Sequence, residues 1–251
     1  MKAVRCIFAL AVCACLIPVL ASASETERFH KVVPIGAGGS LTLHNFSGAV
    51  RIVGADVSEI TIDAVRVAPR DRLDHIKLVV EATGSSVAID ANKRDDGWEG
   101  GHRNNVVDTT FDIQVPRSVS LDINVFSSPV NVKDVTGAQS IHTFSGTIEA
   151  ENAPARFSAK TFSGAVRLHL AGQASSPDLD LETFSGDIGV NMPESASASV
   201  RFDSFRGRLT SDLPLTVHSQ KRGHLRADLG GGDARHTVNL KTFSGDVTIT
   251  K

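Results

Sequence analysis

A motif of four residues, Thr-Phe-Ser-Gly or a close variant, recurs along the chain and restricts its fold more than any other feature. Phe-Ser-Gly begins at Phe46, Phe144, Phe162, Phe184 and Phe243, and degenerate copies begin at Phe126 and Phe205. Consecutive copies from 126 to 205 are about 18 to 22 residues apart, and the two longer gaps are close to multiples of about 20. A period of this size is typical of solenoids, in which one structural unit is repeated.

Apolar residues alternate with polar ones on both sides of each motif. Before Phe184 the apolar residues are Leu179 and Leu181. After it they are Ile188 and Val190. Such alternation predicts β-strands with one buried face. The phase changes between Thr and Phe, so we predict a corner there, with Ser-Gly supplying the tight backbone that follows.

A unit of this size cannot bury its apolar face alone, so successive units must stack on one another. The predicted fold class is therefore all-β, a single-chain parallel β-solenoid with coils of about 20 residues. Parallel stacking places the phenylalanines above one another at about 4.8 Å. We expect an internal corner stack of rings; the alternative is an exposed aromatic ladder that binds a glycan or a partner.

Outward-facing positions of neighbouring coils bring opposite charges together. The pattern pairs Lys160 with Glu182, Asp180 with Arg201, and Glu149 with Arg167. Exposed pairs of this kind contribute only about 0.2 to 1 kcal/mol each, but they support the register of the stack. No column collects carboxylates, histidines or bases alone, which is typical of a solvated face.

The first residues have the pattern of a signal peptide. Lys2 and Arg5 precede an apolar run from Ile7 to Leu20, and Ala21-Ser22-Ala23 provides small residues for cleavage. We predict a signal peptide at 1–23 and a β-solenoid domain at 24–251, with an irregular part at 24–107 and regular coils at 108–251. The protein is then exported to the periplasm or cell surface.

The composition restricts the cysteine chemistry of the mature chain and the classes of partner that it can bind. Cys6, Cys13 and Cys15 all lie in the predicted signal peptide, so the mature chain has no disulfide. Removing Lys2 and Arg5 leaves 24 of 26 bases against 28 acids, a net charge near −4. That balance argues against a nucleic-acid partner. The mature chain has no second apolar run of membrane length.

The irregular parts contain recognisable elements. Ser40 to Val53 forms one coil, Glu59 to Val67 one strand, and Asp71 to Ile76 a short helical turn. Segments 76–81 and 86–91 form a strand pair that turns at Gly84-Ser85. Lys93 to Val106 is predicted as an exposed loop, and Lys221 to Arg235 as a wide turn between the last two coils.

The motifs resemble a known family. Phe111-Asp112-Ile113-Gln114-Val115-Pro116, the repeated Thr-Phe-Ser-Gly units, and the ending from Arg222-Gly223-His224-Leu225 to Val247-Thr248-Ile249 are similar to the bacterial putative-adhesin family of β-strand-repeat proteins of unknown function. The likeness runs from about Leu41 to the end of the chain. It implies a β-solenoid in the bacterial envelope or at the cell surface.

The sequence contains no recognisable catalytic set, and we predict no catalytic, cofactor or metal site. The histidines are scattered, and Gly-x-Ser-x-Gly is absent. Phe-Ser-Gly or a degenerate copy recurs in coil after coil, as a corner motif must, whereas a catalytic serine is needed only once. Candidate partner-binding residues lie where the repeat is interrupted, namely Trp98, Asp95, Asp96, Glu99 and Asp233, and the outward columns beside the repeat are a further place to seek them.

The sequence therefore predicts an exported, non-enzymatic β-solenoid that serves as a scaffold or adhesin-like binding module, with an envelope protein or a glycan as partner. One alternative is a polysaccharide-acting β-helix enzyme that uses Asp180 with Arg201. Another is a self-assembling envelope scaffold. In that case Val247–Lys251, at the end of the chain, would expose a strand edge for end-to-end self-association.

Overall fold

The computed structural model describes residues 24–98, 105–154, 156–170, 177–230 and 236–251. These residues form 21 strands and one short helix, which confirms the predicted all-β class. The predicted signal peptide at 1–23 lies outside the described residues. Nowhere in the described ranges is there a helix long and apolar enough to cross a membrane.

The strands follow one another along the chain in three groups. The N-terminal part contains β1 Ser24–Pro34, β2 Ser40–Ser47, β3 Val50–Ala55, β4 Glu59–Pro69, α1 Arg70–His75, β5 Ile76–Thr83, β6 Ser86–Arg94 and β7 Asp108–Pro116. The repeats contain β8 Ser120–Ser127, β9 Val130–Lys133, β10 Gln139–Ser145, β11 Ile148–Glu151, β12 Arg156–Ser163, β13 Val166–His169, β14 Asp178–Ser185 and β15 Ile188–Asn191. The C-terminal part contains β16 Ala198–Ser204, β17 Leu209–Ser211, β18 Leu215–Lys221, β19 His224–Leu229, β20 Thr237–Ser244 and β21 Val247–Thr250.

The strands pair in two rows that meet at the Ser-Gly corners. The first row has the order β5-β6-β2-β8-β10-β12-β14-β20-β16-β19-β18. The second row has the order β1-β4-β7-β3-β9-β11-β13-β15-β21-β17. The central layers are parallel, whereas β1, β4, β5, β18 and β19 pair antiparallel. The fold is solenoid-like, but the described chain is not a parallel coil throughout.

The coil nearest the C-terminus lies inside the stack. β20 pairs with both β14 and β16, and β21 pairs with both β15 and β17. The coil that carries Phe243 therefore follows that of Phe184, and the coil of Phe205 becomes the next layer. The predicted open edge at Val247–Lys251 is wrong, because the order of coils along the chain is not their order in the stack.

The chain reaches this inner position through a hairpin. β18 and β19 are joined at Arg222-Gly223, and β19 pairs with β16 beyond the last parallel layer. The predicted wide turn at Lys221–Arg235 is therefore a hairpin in its described part. Residues 231–235 lie outside the described residues. We call β18 and β19 the cap hairpin.

The irregular N-terminal part is close to its prediction. The coil of Ser40 to Val53 is β2 with β3, and the predicted strand pair is β5 with β6, which turns at Gly84. The helical turn is α1, which begins one residue earlier than predicted. The predicted loop at Lys93–Val106 begins later, because β6 continues to Arg94, and residues 99–104 lie outside the described part.

One apolar core runs between the two rows. In the layer of β14 and β15, Leu179, Leu181, Ile188 and Val190 are all buried and belong to this core. Full burial of a side chain of this size contributes about 1.5 to 3 kcal/mol relative to exposure. The repeated alternation thus builds the core one layer at a time, and it leaves the other face of each strand free for polar or functional residues.

Candidate functional site

Seven phenylalanines, one from each parallel layer, form a single column on the outside of the corner, which we call the Phe ladder. In stack order they are Phe46, Phe126, Phe144, Phe162, Phe184, Phe243 and Phe205. Centroids of neighbouring rings are 4.6 to 4.9 Å apart, which matches the spacing of paired strands. These seven phenylalanine residues are 39 to 63% exposed to solvent.

The expected internal ring stack is wrong, because the alternation of each strand continues through Phe. In β12, Phe157 and Thr161 point inward and are buried, and Phe162 follows with the opposite phase and points outward. The inward face resumes only at Val166. The change of phase thus falls in Ser163-Gly164, one step later than predicted. The exposed ladder that the sequence left as an alternative is the observed arrangement.

Threonine occupies the inner side of the same corner. The Thr161 hydroxyl donates to the carbonyl of Gly146 at 3.4 Å, and that of Thr183 donates to Gly164 at 3.2 Å. Neighbouring layers approach closely here: a Cβ on Gly164 would collide with the Gly146 carbonyl, and Gly164 has φ of +150°. A side chain of threonine's size that hydrogen-bonds to the neighbouring layer is compatible with this close approach.

The ladder presents ring edges to solvent rather than ring faces. From Phe126 to Phe243, neighbouring rings lie within 3° of parallel. Rings at this spacing and angle cover each other's faces. At one end, the guanidinium of Arg206 lies 5.6 Å from the centre of the Phe205 ring. A ligand that approaches the ladder from the side therefore meets apolar carbon and the weakly positive ring edge.

Polar side chains run beside the ladder, two residues earlier in each strand. In stack order this polar column contains His44, Asn124, His142, Lys160, Glu182, Lys241 and Asp203. One groove between column and ladder is lined by His142 and Phe144. A second is lined by Lys241 and Phe243. The site can thus offer apolar contact on one side and hydrogen bonds on the other.

Charges in the polar column are paired within the protein. Glu182 lies between two lysines, 2.8 Å from Lys241 Nζ and 3.6 Å from Lys160 Nζ. The hydrogen bond from Lys241 lowers the pKa of Glu182 below its ordinary value. The same bond raises the pKa of Lys241. The predicted pairing of Lys160 with Glu182 is confirmed, and this part of the column supports register.

The other predicted pairs have different outcomes. Arg167 lies 3.7 Å from Glu149, as predicted. Asp180 does not meet Arg201, because Asn239 of the inserted coil is the register partner of both. The two residues that the enzyme alternative needed in one groove are therefore separated by a strand.

The candidate residues of the interrupted segments lie elsewhere. Trp98 is partly buried against a small apolar cluster, and its ring centroid is 5.3 Å from that of His75. Asp95 lies 3.4 Å from the same histidine, and Asp96 is exposed. None of these three lines the grooves beside the ladder. The described part of the chain holds no group of three or more His, Cys, Asp or Glu side chains suited to a metal ion.

Glu99 and Asp233, the remaining candidates, lie outside the described residues. The sequence points to the outward columns as places for partner-binding residues, but it does not predict that the polar column lies beside exposed rings and forms one wall of a groove. Its signal was available, because residues two positions before Phe must share the outward face with it. The sequence predicts a solvated face here because the column mixes acids, bases and neutral polar residues rather than collecting one kind.

The same architecture occurs in known proteins. A family model described as Toastrack DUF4097 matches residues 112–250, more than half of the chain. A "putative cell adhesion protein" from Clostridium sporogenes is 14% identical with a TM-score of 0.55, over 90% of this chain and 99% of that chain. A "putative adhesin" from Bacteroides fragilis is 9% identical with a TM-score of 0.36, over 89% and 97%. No curated protein matches this chain.

These findings agree with the resemblance to the putative-adhesin family that the sequence motifs indicate. The match covers most of the repeats, from β7 to the C-terminal coil. The Clostridium sporogenes structure is alike in fold over nearly the whole described chain. The resemblance to the putative-adhesin family is confirmed, and the chain belongs to the Toastrack family, DUF4097.

Proposed function

We propose that this protein is an exported, non-enzymatic binding module of the bacterial cell envelope and that the Phe ladder is its contact surface. The observation that carries the proposal is the unbroken column of seven exposed rings. Seven rings of roughly 200 Å², each nearly half exposed, present on the order of 600 Å² of apolar surface. That is at the upper end of the largest patch on a typical monomer, and patches of this size are often functional.

The ladder favours an apolar segment of an envelope protein over a glycan. Sugars bind aromatic residues through ring faces, and these faces are covered along the interior of the ladder. Ring edges pack well against aliphatic side chains and against the faces of other aromatic rings. The polar column beside the ladder supplies the hydrogen-bonding rim that protein interfaces have around their apolar centre.

We also propose a coil architecture for the repeat region and a cellular location for the protein. The repeat region is taken as a parallel β-solenoid with coils of about 20 residues, which keeps the seven rings in line and at constant spacing. The predicted signal peptide at 1–23 places the protein in the periplasm or at the cell surface. Sequencing the N-terminus of the protein recovered from the envelope tests this: cleavage near Ala23 is expected, and an intact Met1 in the cytoplasm would refute export.

The test of the ladder is the retention of purified protein on envelope fractions. Phe162 is the central ring, and Phe162→Ser removes two ring stacks at a cost of about 1 to 3 kcal/mol. Val166→Ala removes a buried side chain of the same layer at a similar cost and leaves the ladder intact. We expect Phe162→Ser to lose retention at least tenfold and Val166→Ala to keep it. Equal retention of both variants would refute the ladder as the contact surface.

The same fractions test the absence of catalysis. We expect cell-wall glycan incubated with the purified protein to keep its chain length. Reproducible turnover would refute a non-enzymatic function. Replacement of Asp180 by alanine would then show whether the alternative built on that carboxylate is correct.

A further inference from the structure

A second surface, at the cap hairpin, differs from the rest of the molecule in charge. Residues 201–226 contain six bases and two acids, whereas the whole chain has a net charge of −2. The bases are Arg201, Arg206, Arg208, Lys221, Arg222 and Arg226. Because the chain as a whole is slightly acidic, this concentration of positive charge is local and does not follow from composition.

The fold places part of this charge on one face. Arg201 of β16 and Arg226 of β19 are direct partners across an antiparallel pair. On the other side of β19, Ser219 is the partner of Arg226, and Lys221 is the partner of His224. Cross-strand partners project from the same face of a sheet. These side chains line one cleft together with Asp203 and Leu225.

The bases of this cleft lack the compensation found in the parallel layers. There, Lys160, Lys241 and Arg167 each lie within 4 Å of a carboxylate. Within the described residues, Arg201, Arg226 and Lys221 form no ion pair. Like charges directly opposite each other destabilise a sheet. The one carboxylate in the cleft, Asp203, is held by His224, whose Nδ1 lies 2.5 Å from its Oδ1.

We propose that this cleft is a binding site for a phosphate monoester group. Two guanidinium groups on adjacent strands can each donate two parallel hydrogen bonds to phosphate oxygens, and Arg is the side chain best suited to this geometry. Lys221 adds a third positive charge and Ser219 a neutral donor. The bound dianion replaces the repulsion between Arg201 and Arg226 with two attractive contacts. The cleft shares Asp203 and His224 with the end of the groove beside the Phe ladder, but the phosphate proposal does not depend on the proposed function.

Calorimetric titration with inorganic phosphate, at constant ionic strength maintained with chloride, tests the site. The variant R201Q/R226Q removes the two guanidinium groups, and R51Q/R167Q removes the same charge from arginines of the second row that have carboxylate partners. We expect R201Q/R226Q to bind phosphate at least tenfold more weakly than the wild type and R51Q/R167Q to bind within twofold of it. Without phosphate, R201Q/R226Q should melt no lower than the wild type, because a repulsion is removed. Should R201Q/R226Q not fold, R226Q alone serves in its place.

Vesicles identify the source of the phosphate group. Binding to phosphatidylcholine vesicles that contain phosphatidic acid, lost in R201Q/R226Q, supports a lipid headgroup. Binding of inorganic phosphate without vesicle binding supports a soluble or polymer-borne phosphate. The proposal is overturned if the wild type binds neither probe, or if R201Q/R226Q binds phosphate as tightly as the wild type.

Discussion

The inner and outer sides of the corner come from the same four-residue motif but have different roles. On the inner side, Thr161 is buried and hydrogen-bonded to the neighbouring layer, and Gly164 lies against that layer's backbone. On the outer side, Phe162 is 46% exposed and stacks on its two neighbours in the ladder. A repeat that serves architecture alone needs only the inner side. The outer side is therefore where function should be sought.

The largest expected difference between the two sides separates two phenylalanines of one strand. Phe157→Ala opens a cavity in the core and should lower the free energy of unfolding by about 3 to 5 kcal/mol. Phe162→Ala loses two ring stacks and should lower it by about 1 to 3 kcal/mol. Chemical denaturation measures both. If Phe162→Ala were the more destabilising, the ladder would belong to the architecture.

Glycine at the inner corner gives the next effect. Gly164→Ala places a Cβ against the Gly146 carbonyl and holds alanine at a φ of +150°, which should lower the free energy of unfolding by about 2 to 4 kcal/mol. Gly189 has open space around its Cβ position, so Gly189→Ala is the control. Its effect should be within about 1 kcal/mol of zero. Similar losses in both variants would contradict close packing of layers at the corner.

Two threonines at equivalent positions, one with a hydrogen-bond partner and one without, test what the threonine hydrogen bonds contribute to stability. Thr183→Val removes the bond to Gly164 while keeping the shape, and should lower the free energy of unfolding by about 1 kcal/mol. The hydroxyl of Thr242 is buried at the equivalent position without a partner in the described residues. Thr242→Val should therefore be neutral or stabilising. Equal losses would mean that the bond at Thr183 contributes nothing.

The smallest expected effect is a pH dependence on the outer face. The pKa of Glu182 is lowered mainly by the hydrogen bond from Lys241, so its contribution to stability is present above the ordinary value of 4.5 and is lost as the pH falls through the lowered value. Glu182→Gln should flatten the acid side of a plot of melting temperature against pH. The melting temperature at pH 7 should change little, because the pair is exposed. An unchanged acid limb would contradict this pairing.

Much of the fold could be predicted because alternation and period are local properties of the sequence. The strands on either side of Phe184, and the pairing of Lys160 with Glu182, follow from a period of about 20 residues. The insertion of the C-terminal coil could not be predicted in this way. It requires the chain to return into the stack after the cap hairpin. The opposite charges of Lys241 and Glu182, which form an ion pair, are one of the few features of the sequence that indicate this return.

The direction of the rings was missed for a different reason. Phe162 has the same parity as Val166 and Leu168 of the next strand, and this predicts a change of phase before Phe with the ring on the inside. The phase of the strand decides the matter, because Thr161 is in phase with Phe157 and Phe162 is not. Phe162 keeps the phase of the preceding strand, because neighbouring layers approach closely at the inner corner, where the side chains are threonine or of similar size, such as Asn45 and Val125. The loop residues Trp98 and Asp95 became binding candidates for the same reason: the repeat had been assigned to architecture alone.

The outward direction of the ladder is the central claim, and cysteine accessibility tests it most directly. Phe162→Cys and Phe157→Cys would be treated with a thiol reagent in the folded protein, and mass spectrometry of the labelled peptides would distinguish them from Cys6, Cys13 and Cys15. We expect a cysteine at 162 to react within about tenfold of the rate of a free thiol, and one at 157 to react at least about a thousandfold more slowly, through unfolding. Protection of position 162 equal to that of 157 would contradict an outward ladder.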